Sequence, residues 1–354
     1  MTPTRDDLRT LVRSLTGGGA IALEPMAGGG SSRRFYRIRS GEGLYVGAIC
    51  SQMAEARAFL GFTEHFAAKG IPVPKIIGRS DDGALYVMED LGPHTLAARL
   101  AQWRGQPEGH QKCLAALREV VRWLPVIQID GGDGLNYGLC HEGAELDAEA
   151  FRADLAQFVE CYANRVALSH GPSTETLKDM RALSEELGRL DRKHFCYRDF
   201  QTRNIMWHDE APVFIDYQSG RHGPLAYDLA ALLYSPDSGL DDPGRTILIG
   251  DYLDALSARG VRRSRDGFEQ ELYLAVTVRR LQALGAYARL AYGQGQTQYL
   301  EKIPPAWVAL RSLLERNLIC AARPALRKWL LTLASSGFKD RESGNQVLGS
   351  SPGE

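Results

Sequence analysis

The sequence has no apolar run of about 18 residues, the minimum for a membrane-spanning helix. Residues 1–7 also lack the apolar core of a signal peptide. These two absences predict a cytoplasmic protein with no membrane partner. The formal net charge is only −1, because basic and acidic residues almost balance. Nothing in this charge calls for a nucleic acid or an anionic membrane surface as a partner.

Paired cysteines are absent as well. The chain of 354 residues has six cysteines and no Cys-x-x-Cys motif. Scattered thiols of this kind favour reduced cysteines in a cytoplasmic protein over a disulfide framework or a zinc site. The six positions are Cys50, Cys113, Cys140, Cys161, Cys196 and Cys320.

Short strands around one helix are predicted for the first 91 residues. Residues 35–39 and 44–49 read as antiparallel strands joined at residues 40–43, and residues 85–88 as a further strand. Residues 55–69 have helical spacing and stop at Gly70. We therefore predict a strand-rich N-terminal lobe over residues 1–91.

Helical patterns dominate the rest of the chain. A helical C-terminal lobe is predicted over residues 92–334, and a polar, glycine-rich tail at 335–354 is predicted to be disordered. Two short apolar runs at 204–207 and 213–215 interrupt the helices and predict a β-hairpin. The overall class is therefore α+β with two lobes. The predicted helices cover residues 114–127, 151–168, 174–190 and most of 250–333.

Three polar residues flank the predicted hairpin. Asp199 and Asn204 lie five residues apart before it, and Asp216 ends its returning strand. Phosphoryl transfer needs a carboxylate beside the attacking hydroxyl and oxygen ligands for magnesium. The hairpin would bring Asp216 back beside Asn204, so Asp199 could accept the proton while the other two hold the metal. The alternative is that Asp199 and Asn204 are turn residues and Asp216 caps a strand.

The segment around these residues resembles the catalytic core of the aminoglycoside-phosphotransferase and choline-kinase family, which has a protein-kinase-like fold. The family loop usually reads His-Gly-Asp-x4-Asn, whereas this chain has Tyr197-Arg198-Asp199. The amino-acid sequence of residues 197–206 and 215–228 most resembles the branch of this family that phosphorylates anomeric hydroxyls of amino sugars. The resemblance implies that Asp199 is the catalytic base and that Asn204 and Asp216 are metal ligands. It also implies that Asp228 and Arg198 support the loop, although Asp228 could be a plain helix N-cap.

Two further segments resemble the nucleotide site of this family. A glycine-rich turn would cover the phosphates, and a hinge between the lobes would bind the base. Glycine-rich turns and simple loops are common, so both assignments rest on position. The predicted nucleotide-binding residues are Gly29, Gly30, Ser31, Ser32, Arg33, Met88, Glu89, Asp90 and Leu91.

One departure from the kinase pattern concerns the third strand. Kinases of this superfamily carry a lysine there that pairs with a helix glutamate, but residues 44–50 contain no lysine or arginine. Glu55 on the following helix therefore lacks its expected partner. Either Arg33, Arg34 or Arg37 substitutes, or nucleotide binding differs.

The predicted function is a phosphotransferase that uses Mg²⁺ and ATP or GTP to phosphorylate a hydroxyl of a small molecule, an amino sugar being favoured. Thirteen basic against seven acidic residues over 251–330 favour a neutral or anionic acceptor. The alternatives are an aminoglycoside or choline kinase, and, in another class, a nucleotide-binding regulatory protein without turnover. The substrate-binding residues and the oligomeric state do not follow from the sequence.

Overall fold

The structure is a computed structural model that describes residues 3–26, 33–166 and 171–336. Five strands form one antiparallel sheet in the order β1-β2-β3-β5-β4. The strands of this sheet are β1 Ile21–Pro25, β2 Arg34–Ser40, β3 Gly43–Ile49, β4 Ile76–Arg79 and β5 Leu85–Glu89. The predicted strand pair at 35–49 is confirmed, with Ser40 opposite Gly43 across a two-residue turn.

Two helices accompany the sheet. Helix α1 (Arg5–Thr16) begins with a capping box in which Thr4 and Asp7 bond reciprocally, and it buries Leu8 and Val12 against the sheet. Helix α2 (Met53–Ala68) corresponds to the helix predicted at 55–69. Since the apolar face of each helix must leave water, this packing gives the N-terminal region its own core.

The other helices lie after residue 92, and the predicted helical character of this part of the chain is confirmed. They are α3 Leu96–Arg104, α4 Gly109–Pro125, α5 Ala148–Phe158, α6 Asn164–Val166, α7 Thr174–Gly188, α8 Leu225–Leu233, α9 Asp242–Ser257, α10 Arg265–Ala288, α11 Ile303–Glu315 and α12 Pro324–Ser336. No helix in the described ranges combines the length and the apolarity that crossing a bilayer requires.

Two small antiparallel pairs interrupt the helices. Strands β6 (His194–Cys196) and β9 (Arg221–Gly223) pair with each other, and β7 (Ile205–His208) pairs with β8 (Ala211–Phe214). The β7–β8 pair is the predicted hairpin, and its turn residues Asp209 and Glu210 both have left-handed backbones, with φ of 46° and 59°.

Aromatic packing joins α2 to this strand region. The Phe66 ring lies 5.3 Å from the rings of both Phe195 and Tyr217. Phe195 is in β6, and Tyr217 follows Asp216 directly. The helix next to the sheet therefore fixes the backbone from which the predicted metal ligand projects.

The chain divides into two compact units. The first contains residues 1–146 and 191–269, and the second contains residues 147–190 and 270–354. All described residues of the predicted site belong to the first unit. The lobe boundary at residue 91 stays a prediction, and the predicted tail lies outside the described residues except for residues 335 and 336, which end α12.

Candidate active site

The loop after β6 carries Asp199 and Asn204. A short 3₁₀ turn, Thr202–Asn204, brings the Asn204 side chain back toward the start of the loop. Its Nδ2 donates to the Asp199 carbonyl oxygen at 2.9 Å. A carbonyl oxygen can only accept, so this contact assigns the amide orientation and leaves Oδ1 of Asn204, among the described residues, as the atom available to a predicted metal ion.

The hairpin returns Asp216 to the same place. The Ile215 N–H donates to the Asn204 carbonyl oxygen at 3.1 Å, immediately before Asp216. The Asp216 side chain is 36 % exposed, and its backbone is left-handed with φ of 70°. The structure therefore brings the predicted catalytic loop and the two predicted metal ligands together through backbone hydrogen bonds.

Asp228 lies beneath this loop and is fully buried. Its carboxylate accepts from the backbone N–H of Tyr197 at 2.8 Å and of Arg198 at 3.0 Å, and from Gln128 Nε2 at 3.0 Å. The Cys196 thiol is a fourth donor at 3.4 Å. Burial raises the pKa of Asp228 to about 6, and these donors act in the opposite direction. The loop backbone is thus attached to a carboxylate with no access to solvent.

Arg198 has a backbone that explains the usual family sequence. Its φ is 78°, in the left-handed region that glycine adopts without steric cost, and glycine is the residue that the family usually has there. The side chain compensates by donating to the Tyr227 hydroxyl at 2.5 Å and covering the Tyr227 ring at 5.3 Å. Arg198 therefore contacts α8 through Tyr227.

Arg33 is the arginine that pairs with Glu55. Its Nε lies 3.3 Å from Glu55 Oε1, and its Nη2 lies 2.5 Å from Asp216 Oδ1. Arg34 bonds to the Pro3 carbonyl oxygen and Arg37 to Asp90. The cation missing from the third strand is thus supplied from the residue that precedes β2.

The environment of Arg33 keeps it charged. Its side chain is only 3 % exposed and lies against the rings of Phe35 at 5.3 Å and Phe59 at 5.4 Å. Burial by itself would lower the pKa of Arg33, but Tyr86 and the two paired carboxylates together raise it. Cys50, which ends the lysine-free run, is buried in the same place, and burial raises the pKa of its thiol to about 11.

Sequence reasoning missed the role of Gln218. Its Nε2 donates to Asp216 Oδ1 at 3.0 Å and lies 3.4 Å from Glu55 Oε1. The residue itself is 6 % exposed. The only signal in the sequence was its position two residues after Asp216, since an amide there can reach the same carboxylate.

The predicted hinge is already partly hydrogen-bonded within the protein. The Glu89 N–H donates to the Lys75 carbonyl oxygen at 3.0 Å, and His208 Nδ1 lies 3.1 Å from the Leu91 carbonyl oxygen. Asp90 accepts Arg37 Nε at 2.6 Å. Met88 lies inside strand β5. The Lys75 N–H also donates to Glu89 Oε1 at 2.7 Å. The side chains of Glu89 and Asp90 thus both have structural partners, so base recognition here would depend on the remaining backbone groups.

The predicted phosphate turn connects β1 to β2. Gly29, Gly30, Ser31 and Ser32 lie outside the described residues, and only Arg33 of that set is described. Asn204 and Asp216, which carry the predicted oxygen ligands, are joined through the backbone hydrogen bond between Ile215 and Asn204. Hard oxygen ligands of this kind fit Mg²⁺, which prefers carboxylates, carbonyls and water.

Comparison with known proteins gives the following matches. A model of the phosphotransferase enzyme family matches residues 22–268. An N-acetylmuramate/N-acetylglucosamine kinase from Pseudomonas aeruginosa is 24 % identical over 301 residues, covering 83 % of this chain and 84 % of that protein. A kinase of the same name from Neisseria meningitidis is 26 % identical over 254 residues, covering 70 % and 72 %.

Among solved structures, the chain is similar to the ADP-bound aminoglycoside phosphotransferase APH(2'')-Ib. The TM-score is 0.55 at 13 % sequence identity, covering 94 % of this chain and 99 % of that one. Similarity at this identity shows the fold. The predicted α+β, bilobal, protein-kinase-like architecture is therefore confirmed.

Proposed function

The chain belongs to the phosphotransferase enzyme family and is a small-molecule kinase, and on that premise we propose that it moves the γ-phosphate of ATP or GTP to a sugar hydroxyl with the help of Mg²⁺. One observation carries the proposal. The hydrogen bonds from the Asn204 amide to the Asp199 carbonyl oxygen and from the Ile215 N–H to the Asn204 carbonyl oxygen join the segments that carry Asp199, Asn204 and Asp216, which supports a site with one carboxylate and two oxygen ligands. Phosphoryl transfer needs this combination.

Asp199 is proposed as the residue beside the attacking hydroxyl. A carboxylate there orients the hydroxyl and accepts its proton as the new P–O bond forms. The loop holding Asp199 is attached to buried Asp228 through the N–H groups of Tyr197 and Arg198. Because catalysis depends mainly on positioning, this attachment is as relevant as the carboxylate itself.

Asn204 and Asp216 are proposed to hold Mg²⁺ through Oδ1 of the amide and the carboxylate. When bound, the ion neutralises charge that develops on the phosphate oxygens. The chain's own residues provide the rest: Gln218 and Arg33 hold the Asp216 carboxylate, and the Asp199 carbonyl holds the Asn204 amide. The ligands are thereby oriented by contacts within the protein.

The nucleotide is proposed to lie against the turn between β1 and β2 and the segment Met88–Leu91. Gly29, Gly30, Ser31 and Ser32 would offer backbone and hydroxyl donors to the phosphates. Arg33 follows that turn directly and provides the buried cation that pairs with Glu55. This pair argues against a regulatory protein without turnover, which the missing lysine had suggested.

The acceptor is proposed to be N-acetylmuramate or N-acetylglucosamine, phosphorylated at the anomeric hydroxyl. The names of the two similar kinases from Pseudomonas aeruginosa and Neisseria meningitidis support an amino sugar as the acceptor. The excess of basic residues over 251–330 adds little support, because ion pairs already engage Arg259 with Asp130 and Arg311 with Glu315. An aminoglycoside or an amino alcohol is the alternative acceptor.

The test is phosphate transfer from ATP and Mg²⁺ to N-acetylmuramate, N-acetylglucosamine, simple hexoses, kanamycin and choline, with Asp199→Ala in parallel. Turnover on an amino sugar that Asp199→Ala reduces by at least about 100-fold is expected. Product analysis by phosphorus NMR reports whether the anomeric hydroxyl reacted.

Each other outcome corrects a different part of the proposal. Transfer only to kanamycin or choline would keep the mechanism and overturn the acceptor. Full activity in Asp199→Ala would overturn the catalytic role of Asp199. Nucleotide binding without transfer to any acceptor would favour the alternative of a nucleotide-binding regulatory protein without turnover.

A further inference from the structure

The proposed metal ligand Asp216 and three other side chains form a closed ring. Arg33 donates to Glu55 Oε1 and to Asp216 Oδ1, at 3.3 Å and 2.5 Å. Gln218 Nε2 reaches the same two oxygens, at 3.4 Å and 3.0 Å. Two donors thus bridge two carboxylates. If one of the two donors is lost, each carboxylate still has the other donor as a partner.

The ring leaves the two oxygens of Asp216 in different situations. Within the described part of the chain, the donors that contact this carboxylate lie on Oδ1. With Oδ1 held by two donors, rotation of the carboxylate about its terminal bond would break both contacts. Oδ2 is therefore the oxygen that the ring leaves for a cation.

The orientation of Gln218 is set by the same contacts. Its nitrogen must face the two carboxylates, because an amide oxygen there would repel them. The amide oxygen Oε1 consequently points away from them, and it is buried without a hydrogen-bond partner among the described residues. A buried acceptor without a donor is costly, by an amount comparable to a lost hydrogen bond.

We propose that Gln218 and Arg33 are positioning residues that lock Oδ1 of Asp216, so that Oδ2 is presented to the metal. The proposal rests on the proposed function, because it concerns the same metal. Glu55 anchors both donors from α2 and contacts neither the metal nor the nucleotide. The ring thus holds the Asp216 carboxylate through one of its two oxygens, Oδ1.

The experiment measures Mn²⁺ binding by electron paramagnetic resonance in the presence of ADP, for the wild type and Gln218→Met. Manganese is the probe because it binds oxygen ligands as magnesium does and is paramagnetic. Gln218→Met keeps the side-chain length and removes both polar atoms. We expect Mn²⁺ affinity to fall about 10- to 100-fold, the usual effect of removing a group that orients a metal ligand.

A separate measurement distinguishes positioning from a general loss of structure. ADP binding without metal, followed by calorimetry, is expected to change less than about 3-fold in Gln218→Met, because the amide does not face the nucleotide in the proposed arrangement. Thr277→Val is the matched control. It removes a buried hydroxyl on α10 that donates to the Tyr273 carbonyl oxygen, in the compact unit that holds none of the described site residues. Its Mn²⁺ affinity is expected to equal that of the wild type.

A second variant covers the case in which Gln218→Met does not fold. Glu55→Gln keeps the shape of a ring member on a different helix and is expected to weaken Mn²⁺ binding by about 3- to 10-fold through loss of the Arg33 anchor. Unchanged Mn²⁺ affinity in a folded Gln218→Met or Glu55→Gln protein would overturn the inference. Absence of Mn²⁺–ADP binding to the wild type would instead overturn the proposed function.

Discussion

Asp216 and Asp228 are twelve residues apart in the sequence and have opposite surroundings. Asp228 is fully buried and accepts from four protein donors spread over both carboxylate oxygens. The Asp216 side chain is 36 % exposed, and its donors among the described residues lie on one oxygen. In Asp228 both carboxylate oxygens therefore have protein donors, whereas in Asp216 the donors among the described residues engage Oδ1 and leave Oδ2.

The difference indicates how a fold separates a structural acid from a ligand. A saturated buried carboxylate has no coordination site left, so its effect is confined to the backbone that it holds. A carboxylate held at one oxygen keeps a defined direction and a free lone pair for a cation. Burial and the count of donors, rather than residue type, assign the two roles.

The largest expected effect is on activity at Asp216. Asp216→Asn removes the charge that would bind the metal, and we expect kcat for phosphate transfer to fall by on the order of 1,000-fold. Stability should change little, because the amide keeps one oxygen for Arg33 and Gln218. The measurement is initial rate against Mg²⁺ concentration, beside thermal unfolding. A variant with normal activity would break the distinction between the two acids.

The second effect is on stability at Asp228. Asp228→Asn places an NH₂ group among N–H donors, so we expect the free energy of unfolding to fall by about 2 to 4 kcal/mol. Urea unfolding followed by circular dichroism measures it. The control is Asp237→Asn on the surface, with an expected change within about 0.5 kcal/mol. Equal stabilities for the two variants would show that the Asp228 network contributes little.

The third effect concerns pH. Burial raises the pKa of Asp228 from 3.8 to about 6, so the folded protein binds this proton more tightly than the unfolded chain does. The resulting stabilisation is complete below about pH 4 and is lost as the pH rises through about 6. The loss amounts to about 3 kcal/mol.

This pH contribution is measured by difference. Unfolding free energies of the wild type and Asp228→Asn are compared between pH 4 and 7, since the amide does not titrate. The wild-type value should fall relative to the variant across this range. Parallel curves would contradict the pKa shift.

The smallest effect is at Arg198, on the loop whose backbone Asp228 holds. Its left-handed backbone costs a non-glycine residue about 1 kcal/mol, and both Arg198→Gly and Arg198→Ala lose the contact with Tyr227. Arg198→Gly should therefore be more stable than Arg198→Ala by about 1 kcal/mol. Thermal unfolding of both variants tests this. The reverse order would mean that the loop relaxes its backbone when the arginine is removed.

Much of the site could be predicted because its parts are close in sequence. Asp199, Asn204 and Asp216 lie on one loop and one hairpin, and short apolar runs around a turn predict such a hairpin well. The strand pair at 35–49 and the capping box at Thr4 and Asp7 were predictable for the same reason. Local hydrogen bonds depend on a few neighbouring residues.

Other features could not be predicted from spacing. Which arginine would replace the missing lysine remained open among Arg33, Arg34 and Arg37. The answer depends on a contact between residues 183 positions apart, Arg33 and Asp216. The contact between Gln218 and Glu55 likewise depends on the packing of α2 against the strand region.

The sequence by itself determined the hairpin and the main runs of strands and helices, and it placed Asp199, Asn204 and Asp216 around that hairpin, because hydrophobic period and turn composition act over short range. The tertiary structure alone decided which carboxylate is saturated and which is left half open. That outcome depends on burial and on donors from distant elements. Both arise only when packing brings together residues that the chain keeps far apart.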